Sequence, residues 1–357
     1  MSDCSICIVC DGFKVQYRDI GYMRDTEYGG PFNEMPLDHI RRFLSAYDSG
    51  LFSDVPVLDR KYNHVIVAGM GGSGIVGSAI VDLARNVADV PVDVLRANRL
   101  PAHISENTLV LVISYSGNTR EMLELYSECI SKGCKTIVIT TGGRLEELAR
   151  EDGTYLLVVD GGFTPRSDIG FAIGYAAAVI DSNCGTHIMD SFVSAMCVAE
   201  SYALLLSDFE VPDNQARRIA MRIGSKTPFI YGGDEMACVV NRWKCQINEN
   251  AKIPAACNTF PEFNHNSLEG WCGNTYNSLI PLFLGDTDPY IDVASDVMGE
   301  SGNPFLFVRI PGDSVAERMI NGVVLGDYVS LYLAQILGVD DSPVYAITEF
   351  KKRTKGL

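Results

Sequence analysis

Positive charge is scarce in this chain. It has 29 lysines and arginines against 45 aspartates and glutamates, for a formal net charge of −16. A field of that sign repels polyphosphates, so no nucleic-acid partner is expected. An anionic ligand must instead be caught by local donors such as helix N-termini, hydroxyls and single arginines. Long apolar runs are also missing: none reaches the ~20 residues that span a bilayer. No secretory signal or low-complexity stretch is visible. The chain is therefore expected to be soluble and cytoplasmic, with no membrane partner. The 11 cysteines are odd in number and irregularly spaced, which argues against a disulfide framework. Cys4, Cys7 and Cys10 form Cys-x-x-Cys-x-x-Cys, a spacing that raises a metal site. Such a site needs a fourth ligand, and no second Cys/His pair follows nearby. The three read as reduced, half-buried strand cysteines, and no metal is expected.

What is present is an alternating pattern. At 357 residues, 47% of them hydrophobic, the chain has enough for two globular units. Residues 1–35 read as an N-terminal extension with a short strand at Ile6–Val9. Residues 36–190 read as a first domain, 191–212 as a connecting helix and linker, and 213–357 as a second domain. The first domain opens with a helix from Pro36 to Tyr47. Strand-like runs follow at His64–Gly69, Val92–Leu95, Leu109–Ser114, Thr136–Thr140 and Tyr155–Val159. Helical patterns fill the intervals at Ile75–Val87, Thr119–Ser131 and Arg144–Glu151. This βαβ rhythm predicts a parallel sheet covered on both faces, with ligands beyond the carboxyl ends of its strands. An apolar helix, Asp168–Ile180, is expected to stop at a polar break, Asp181–Gly185. A helix at Ser191–Leu206 leads to the second unit. There a strand, Thr227–Gly233, precedes a helix, Met236–Asn250. Strands at Pro254–Asn258, Leu279–Leu284 and Pro304–Ile310 follow, then a helix, Val315–Leu337. The second unit reads as a degenerate copy of the first.

Two turns carry the chemistry. The first strand breaks into Gly69-Met-Gly-Gly-Ser-Gly74, and the third into Ser114-Tyr-Ser-Gly-Asn-Thr119. Glycines bring backbone N–H groups close to an anion, and the small hydroxyls add neutral donors. Gly71, Gly72 and Ser73 with Ser114, Ser116 and Thr119 are the candidate ligands of a phosphate ester. A glycine turn alone would equally serve as an empty strand-to-helix connection; the second, hydroxyl-bearing turn is what points to phosphate. A nicotinamide-dinucleotide reading is disfavoured, because no acidic partner for a ribose ends the next strand.

These two turns together resemble the sugar isomerase (SIS) domain. From about residue 36 onward the chain resembles the archaeal bifunctional phosphoglucose/phosphomannose isomerases, built from two SIS domains. Phe163-Thr-Pro-Arg-Ser167 resembles that family's arginine segment. Gln246-Ile-Asn-Glu-Asn-Ala-Lys252 and Pro261-Glu-Phe-Asn-His-Asn266 resemble its glutamate and histidine segments. Pro343-Val-Tyr-Ala-Ile-Thr-Glu-Phe-Lys351 resembles its closing helix, whose functional lysine falls at Lys351 or its neighbour Lys352. The implied fold is α/β: two SIS domains, each a flavodoxin-like parallel sheet flanked by helices. The implied reaction interconverts glucose 6-phosphate and mannose 6-phosphate with fructose 6-phosphate, with no metal or redox cofactor.

The resemblance also implies roles. Glu249 would move the proton between C1 and C2, a task that suits a carboxylate whose pKa lies near neutrality. Its plain reading is a solvated helix-end carboxylate. His265, one of five histidines, would open the sugar ring together with Lys351. In the family the matching histidine reaches into a neighbouring subunit, so a homodimer is implied. Taken without the family, His265 is a surface turn residue and Lys351 a cation suited to a helix C-terminus. Arg166 would stabilise the cis-enediolate, where charge appears only during reaction; its plain reading is a loop cation bonded to carbonyls. Asp327 and Tyr328 read as packing or interface residues, and His39, His64, His103 and His187 as structural. Two rival readings stay open. One is another SIS-type sugar-phosphate enzyme, such as an amino-transfer module, for which no glutaminase domain is visible. The other is a non-catalytic sugar-phosphate-binding protein.

Overall fold

The computed structural model describes residues 36–58, 62–159, 166 and 169–354. The expected strand Ile6–Val9, the triplet Cys4, Cys7 and Cys10, and most of Phe163–Ser167 lie outside the described residues. Helix α1 (Pro36–Asp48) precedes a five-stranded sheet of β1 (His64–Gly69), β2 (Val92–Leu95), β3 (Thr108–Ser114), β4 (Lys135–Thr140) and β5 (Tyr155–Val158). Helices α2 (Gly72–Ala84), α3 (Arg120–Ser131) and α4 (Gly143–Glu151) alternate with the strands, and α5 (Ile169–Cys184) follows. All ladders are parallel, in the order β2-β1-β3-β4-β5. Gly69 pairs with Ile113, so the two Gly/Ser turns leave the sheet side by side.

The second half contains α6 (Ile188–Leu206), α7 (Gln215–Ile223), β6 (Thr227–Gly232), α8 (Ala237–Gln246), β7 (Ala256–Thr259) and α9 (Ser267–Cys272). It ends with β8 (Leu279–Leu284), α10 (Pro289–Glu300), β9 (Leu306–Val308), α11 (Val315–Leu337) and α12 (Tyr345–Arg353). Its sheet is also parallel, ordered β7-β6-β8-β9. The first of its strands in sequence again lies inside, next to the second and third. The reading of a repeated unit holds at the level of strand order.

Period-two alternation decides which side chains face which layer. Val65, Val67, Leu109 and Leu111 join Ile230, Leu282 and Leu284 of the other sheet in one continuous core, filled between them by α2, α5, α6, α8 and α11. The opposite face of the first sheet (Ile66, Ala68, Val110, Val112) packs on α3 and α4. The outer face of the second is aromatic, with Tyr231, Phe260, Phe263, Phe283 and Phe305. Helix α11 is the central post. A Cβ on its Gly326 would meet Trp243 Nε1 at 2.3 Å, so only glycine lets α8 approach this closely. Trp243 is fully buried and donates to the Gly322 carbonyl at 2.8 Å.

Several expectations need correction. The helix expected to end at Ile180 runs on to Cys184. Its polar residues make specific bonds: Asp181 accepts from the N–H groups of Ile188 and Met189 at the start of α6, and Asn183 holds Pro56 and Leu58. Helices α7, α9 and α10 were not anticipated. The last carries a legible start, Asp288-Pro289, with Asp288 as N-cap and proline in the first turn. Both α6 and α11 are long and apolar enough to span a bilayer by length and composition, contrary to the expectation that no run would be. Most of α11 is buried in the protein instead. The single helix expected over Met236–Asn250 is interrupted in a way that matters for the site.

Candidate active site

At the carboxyl end of β1 the backbone turns through Gly71, at φ +55°, and α2 begins at Gly72 without a side-chain cap. Helix α3 begins after Thr119, also without a side-chain cap bond. Uncapped N-termini leave their first N–H groups free to meet an anion. The turns are tied to each other, since the Tyr115 N–H donates to Ser73 Oγ at 3.3 Å. Ser114 Oγ donates to Thr119 Oγ1 at 3.2 Å. The second turn is also braced from outside. Asn118 Nδ2 donates to the Ser116 carbonyl at 2.9 Å, and Asn118 Oδ1 accepts from the Arg144 N–H at 3.1 Å. A Cβ on Gly117 would lie 1.7 Å from the Gly142 carbonyl oxygen, so this packing requires glycine. A small cleft lined by Gly72, Ser73, Tyr115, Thr140 and Thr141 adjoins the turns. All six phosphate candidates therefore sit together at the carboxyl ends of two adjacent interior strands, β1 and β3.

Helix α8 ends at Gln246 and is followed by a π-helical turn, Ile247–Ala251, that carries Glu249. Lys252 closes it in the left-handed conformation, at φ 58°, as the one non-glycine residue with positive φ among those described. That conformation costs a lysine about 1 kcal/mol. π-Turns and left-handed residues concentrate at functional sites. Glu249 is half-buried.

The Gly/Ser turns and the Glu249 turn are joined through the start of α5 and the segment before it: Ile169 lines the same cleft as Ser73 and Tyr115, and Arg166, three residues earlier, bonds Asn250. Arg85, after the end of α2, bonds Asp234 just before α8, at 2.6 Å. Asp82 accepts from the Cys238 N–H at 3.1 Å, capping α8 from the other unit. Arg96 donates to the Gly74 carbonyl at 3.0 Å and is close enough to act electrostatically on the Cys245 thiol. Cys238, at the start of α8, also donates from its thiol to the Ile75 carbonyl near the start of α2, at 3.8 Å. Burial raises the Asp82 carboxyl to about 6, against the bond from Cys238 and the charge of Arg85, and it pushes the Cys238 thiol up to about 12.

Arg166 sits against the Glu249 turn. Its Nε donates to Asn250 Oδ1 at 2.9 Å, and its Nη2 donates to the carbonyls of Asp341 and Ser342, each at 2.8 Å. Behind it lies a buried polar layer. Arg242, 1% exposed, donates to the Arg166 carbonyl and pairs with both oxygens of Asp327 at 3.1 and 2.8 Å. Gln246 donates to Asp327 at 2.9 Å, and Asn250 to Ser330 Oγ at 2.9 Å. Asp327 is therefore no packing residue but the counter-charge of a buried arginine. Sequence reasoning missed this layer. Its signal was legible: Arg242, Gln246 and Asn250 recur every fourth position on an apolar helix, and Asp327 and Ser330 share a face.

His265 ends a 3₁₀ turn, Glu262–His265, anchored by the fully buried Phe263. The imidazole is left exposed. Lys351 lies on α12, none of whose residues is buried. The structure thus joins Arg166 to the Glu249 turn. Among the described residues, no hydrogen bond or ion pair links either of them to His265 or Lys351.

Two parallel sheets with one hydroxyl-rich turn pair define a double SIS protein. A family model described as "SIS domain" matches residues 60–159, and one described as "Bacterial phospho-glucose isomerase C-terminal SIS domain" matches residues 212–354. A protein of Caldicellulosiruptor bescii named bifunctional phosphoglucose/phosphomannose isomerase is 33% identical over 86% of this chain and 94% of its own length. This chain belongs to the bifunctional phosphoglucose/phosphomannose isomerase family. A protein of Sulfolobus acidocaldarius named D-glucosamine-6-phosphate 4-epimerase is 27% identical over 88% of this chain and 97% of its own. Among solved structures, the C-terminal domain of glucosamine-fructose-6-phosphate aminotransferase from Francisella tularensis superposes with a TM-score of 0.64. It is 14% identical and covers 89% of this chain and 99% of that one, which speaks for the fold alone.

Proposed function

We propose that the chain is a reversible aldose–ketose isomerase that interconverts glucose 6-phosphate and mannose 6-phosphate with fructose 6-phosphate. The observation that carries this reading is that the uncapped, hydroxyl-lined turns and the turn that bears Glu249 meet through the start of α5 and the segment before it: Ile169 lines the cleft beside Ser73 and Tyr115, and Arg166, three residues earlier, bonds Asn250. The phosphate docks on the N–H groups and hydroxyls of Gly71, Gly72, Ser73, Ser114, Ser116 and Thr119. Glu249 takes the C2 proton of the open-chain aldose, and the C1 carbonyl oxygen becomes the oxyanion of a cis-enediolate. The same carboxylic acid returns the proton to C1 as the C2 hydroxyl passes its own to the C1 oxyanion, which leaves a C1 hydroxyl and a C2 carbonyl. Arg166 stabilises the oxyanion. With Nε and Nη2 engaged in holding it in place, Nη1 is left for the substrate. Rotation of the enediolate about C2–C3 lets one base serve both epimers. This route needs no metal or redox cofactor.

His265 and Lys351 open the ring. Because His265 stands exposed and no hydrogen bond joins it to Glu249 among the described residues, its reach is taken to be across a homodimer interface. The working unit is then a cytoplasmic homodimer whose subunits each hold a phosphate-binding domain, residues 36–190, and a second domain, residues 213–357, joined by 191–212. Coupled assays with each hexose phosphate test the reaction. Glu249→Gln is expected to lower kcat by at least a thousandfold while a phosphate ester still binds. Turnover of glucosamine 6-phosphate in place of the hexose phosphates would move the reading to an epimerase. Co-refolding Glu249→Gln with His265→Asn subunits tests the shared site. Hybrids then hold one intact site, and roughly a quarter of the wild-type activity returns. No recovery would place His265 within its own subunit's site.

A further inference from the structure

Lys252 belongs to none of the roles above, yet it touches two parts of the site. Its Nζ donates to the Glu249 carbonyl, and also to the Asp341 carbonyl at 3.3 Å. The first lies in the π-turn of the base. The second lies in the strap between α11 and α12, and α12 carries Lys351. Arg166 donates to the same Asp341 carbonyl and to the next one. Two cations thus converge on one carbonyl, and loss of solvent, with Arg166 beside it, lowers the Lys252 pKa. Bringing like charges together is unfavourable, and so is the left-handed backbone at Lys252. A residue that incurs both costs is held there by its bonds.

The strap matters because α12 buries no side chain, with Tyr345 78% and Phe350 67% exposed. Within this chain the helix therefore depends on the strap for its position. Asp341 itself is buried, so the strap enters the protein at the point where the two cations meet it.

We infer that Lys252 is a positioning residue which ties the backbone of the catalytic turn to the strap of the C-terminal helix, and so sets Lys351 relative to Glu249. The inference rests on the isomerase reading for what those two residues do. It makes no claim that the ammonium touches the sugar. Helix α12 is placed by polar bonds to main-chain carbonyls in place of an apolar face, and of the two side chains that make them only Lys252 also holds the Glu249 turn by its own carbonyl.

The test compares Lys252→Met, Lys252→Gly and Lys252→Arg in the full chain. Three readouts are taken: steady-state kinetics, thermal melting, and amide hydrogen exchange followed by mass spectrometry. Glucitol 6-phosphate, which lacks a carbonyl and cannot react, serves as the binding probe. Lys252→Met is expected to lower kcat at least tenfold and leave glucitol 6-phosphate affinity within threefold. Amides from 338 to 354 should exchange faster. Lys252→Gly also relieves the left-handed backbone, so its melting temperature should hold while kcat falls as in the methionine variant. Lys252→Arg should restore most of the rate. A kcat within twofold of wild type in Lys252→Met would overturn the inference. So would unchanged exchange over 338–354, or loss of rate and melting temperature in step across the variants. If the wild-type protein turns over no hexose phosphate, the isomerase reading fails, and the exchange measurement alone decides whether Lys252 holds the strap.

Discussion

The two sheets share strand order but differ at their carboxyl ends, and on the proposed reading the difference explains why one anion site is enough. In the first unit β1 and β3 run into Gly71-Gly72-Ser73 and Ser114-Tyr115-Ser116, and the helices that follow begin without side-chain caps. In the second unit β6 runs into Asp234 and Glu235 within a short 3₁₀ turn. There β8 runs into Asp286 and Asp288, and the Asp288 side chain caps α10 at the N–H groups of Tyr290 and Ile291. A helix N-terminus attracts negative charge whatever its source. The second unit meets that attraction with carboxylates, Asp288 at α10 and Asp82 of the first unit at α8, and on the proposed reading these exclude a phosphate. The first leaves it for a ligand. The second unit contributes instead the turn after α8, where Glu249 and its brace are assembled.

The comparison breaks most decisively if charge is moved into the first unit. Ser116 is exposed, so Ser116→Asp puts a carboxylate in the turn with little steric consequence. Sugar-phosphate affinity should fall at least a hundredfold, with the melting temperature nearly unchanged; calorimetric titration with fructose 6-phosphate reads it. Undiminished binding would mean that the ester docks elsewhere.

The next effect concerns the seam between the units. The folded-state pKa of Asp82 is raised from 3.8 to about 6. The unfolded chain releases that proton first, so the folded chain holds more protons between those two values. This carboxyl's contribution to stability therefore falls as pH rises from about 4 to about 6, and stays lost above that. The gap amounts to about 3 kcal/mol. Asp82→Asn keeps an oxygen for the Cys238 N–H and removes the titration. Its stability relative to wild type should climb by about 3 kcal/mol between pH 4 and pH 7 in urea unfolding. A difference that stays flat across that range would show that burial does not hold the proton.

The smallest effect is on the second unit's cap. Asp288→Ala should cost about 1 kcal/mol of stability, measured by urea unfolding. It should leave isomerase kinetics unchanged and create no second phosphate site, since Asp234, Glu235 and Asp286 remain. Phosphate binding gained there would mean that the cap alone blocks it.

The strands were legible because fully buried parallel strands read as unbroken apolar runs: β3 is buried at all seven positions. The Gly/Ser turns at the ends of β1 and β3 were legible for a related reason. Glycine and small hydroxyls clustered at a strand end have few other uses. The Glu249 turn was harder. A periodic pattern continues through Met236–Asn250, and nothing in it announces that the last turn widens to π geometry, which follows from how α8 meets α11 and the strap. His265 and Lys351 were identified only through resemblance, and they stand on exposed elements where their neighbours in this chain define no pocket.

The order of residues along the chain thus determined two parallel sheets, the uncapped turn and the absence of a basic surface, because each depends on contacts within a few tens of residues or on composition. Only the tertiary structure decided that Asp82 caps α8, that Arg242 is neutralised by Asp327, and that Arg166 and Lys252 meet on one carbonyl. Those pairings join positions roughly 75 to 175 residues apart, and polar bonds at such separations carry no local pattern. They form only where packed apolar faces have already set the distance.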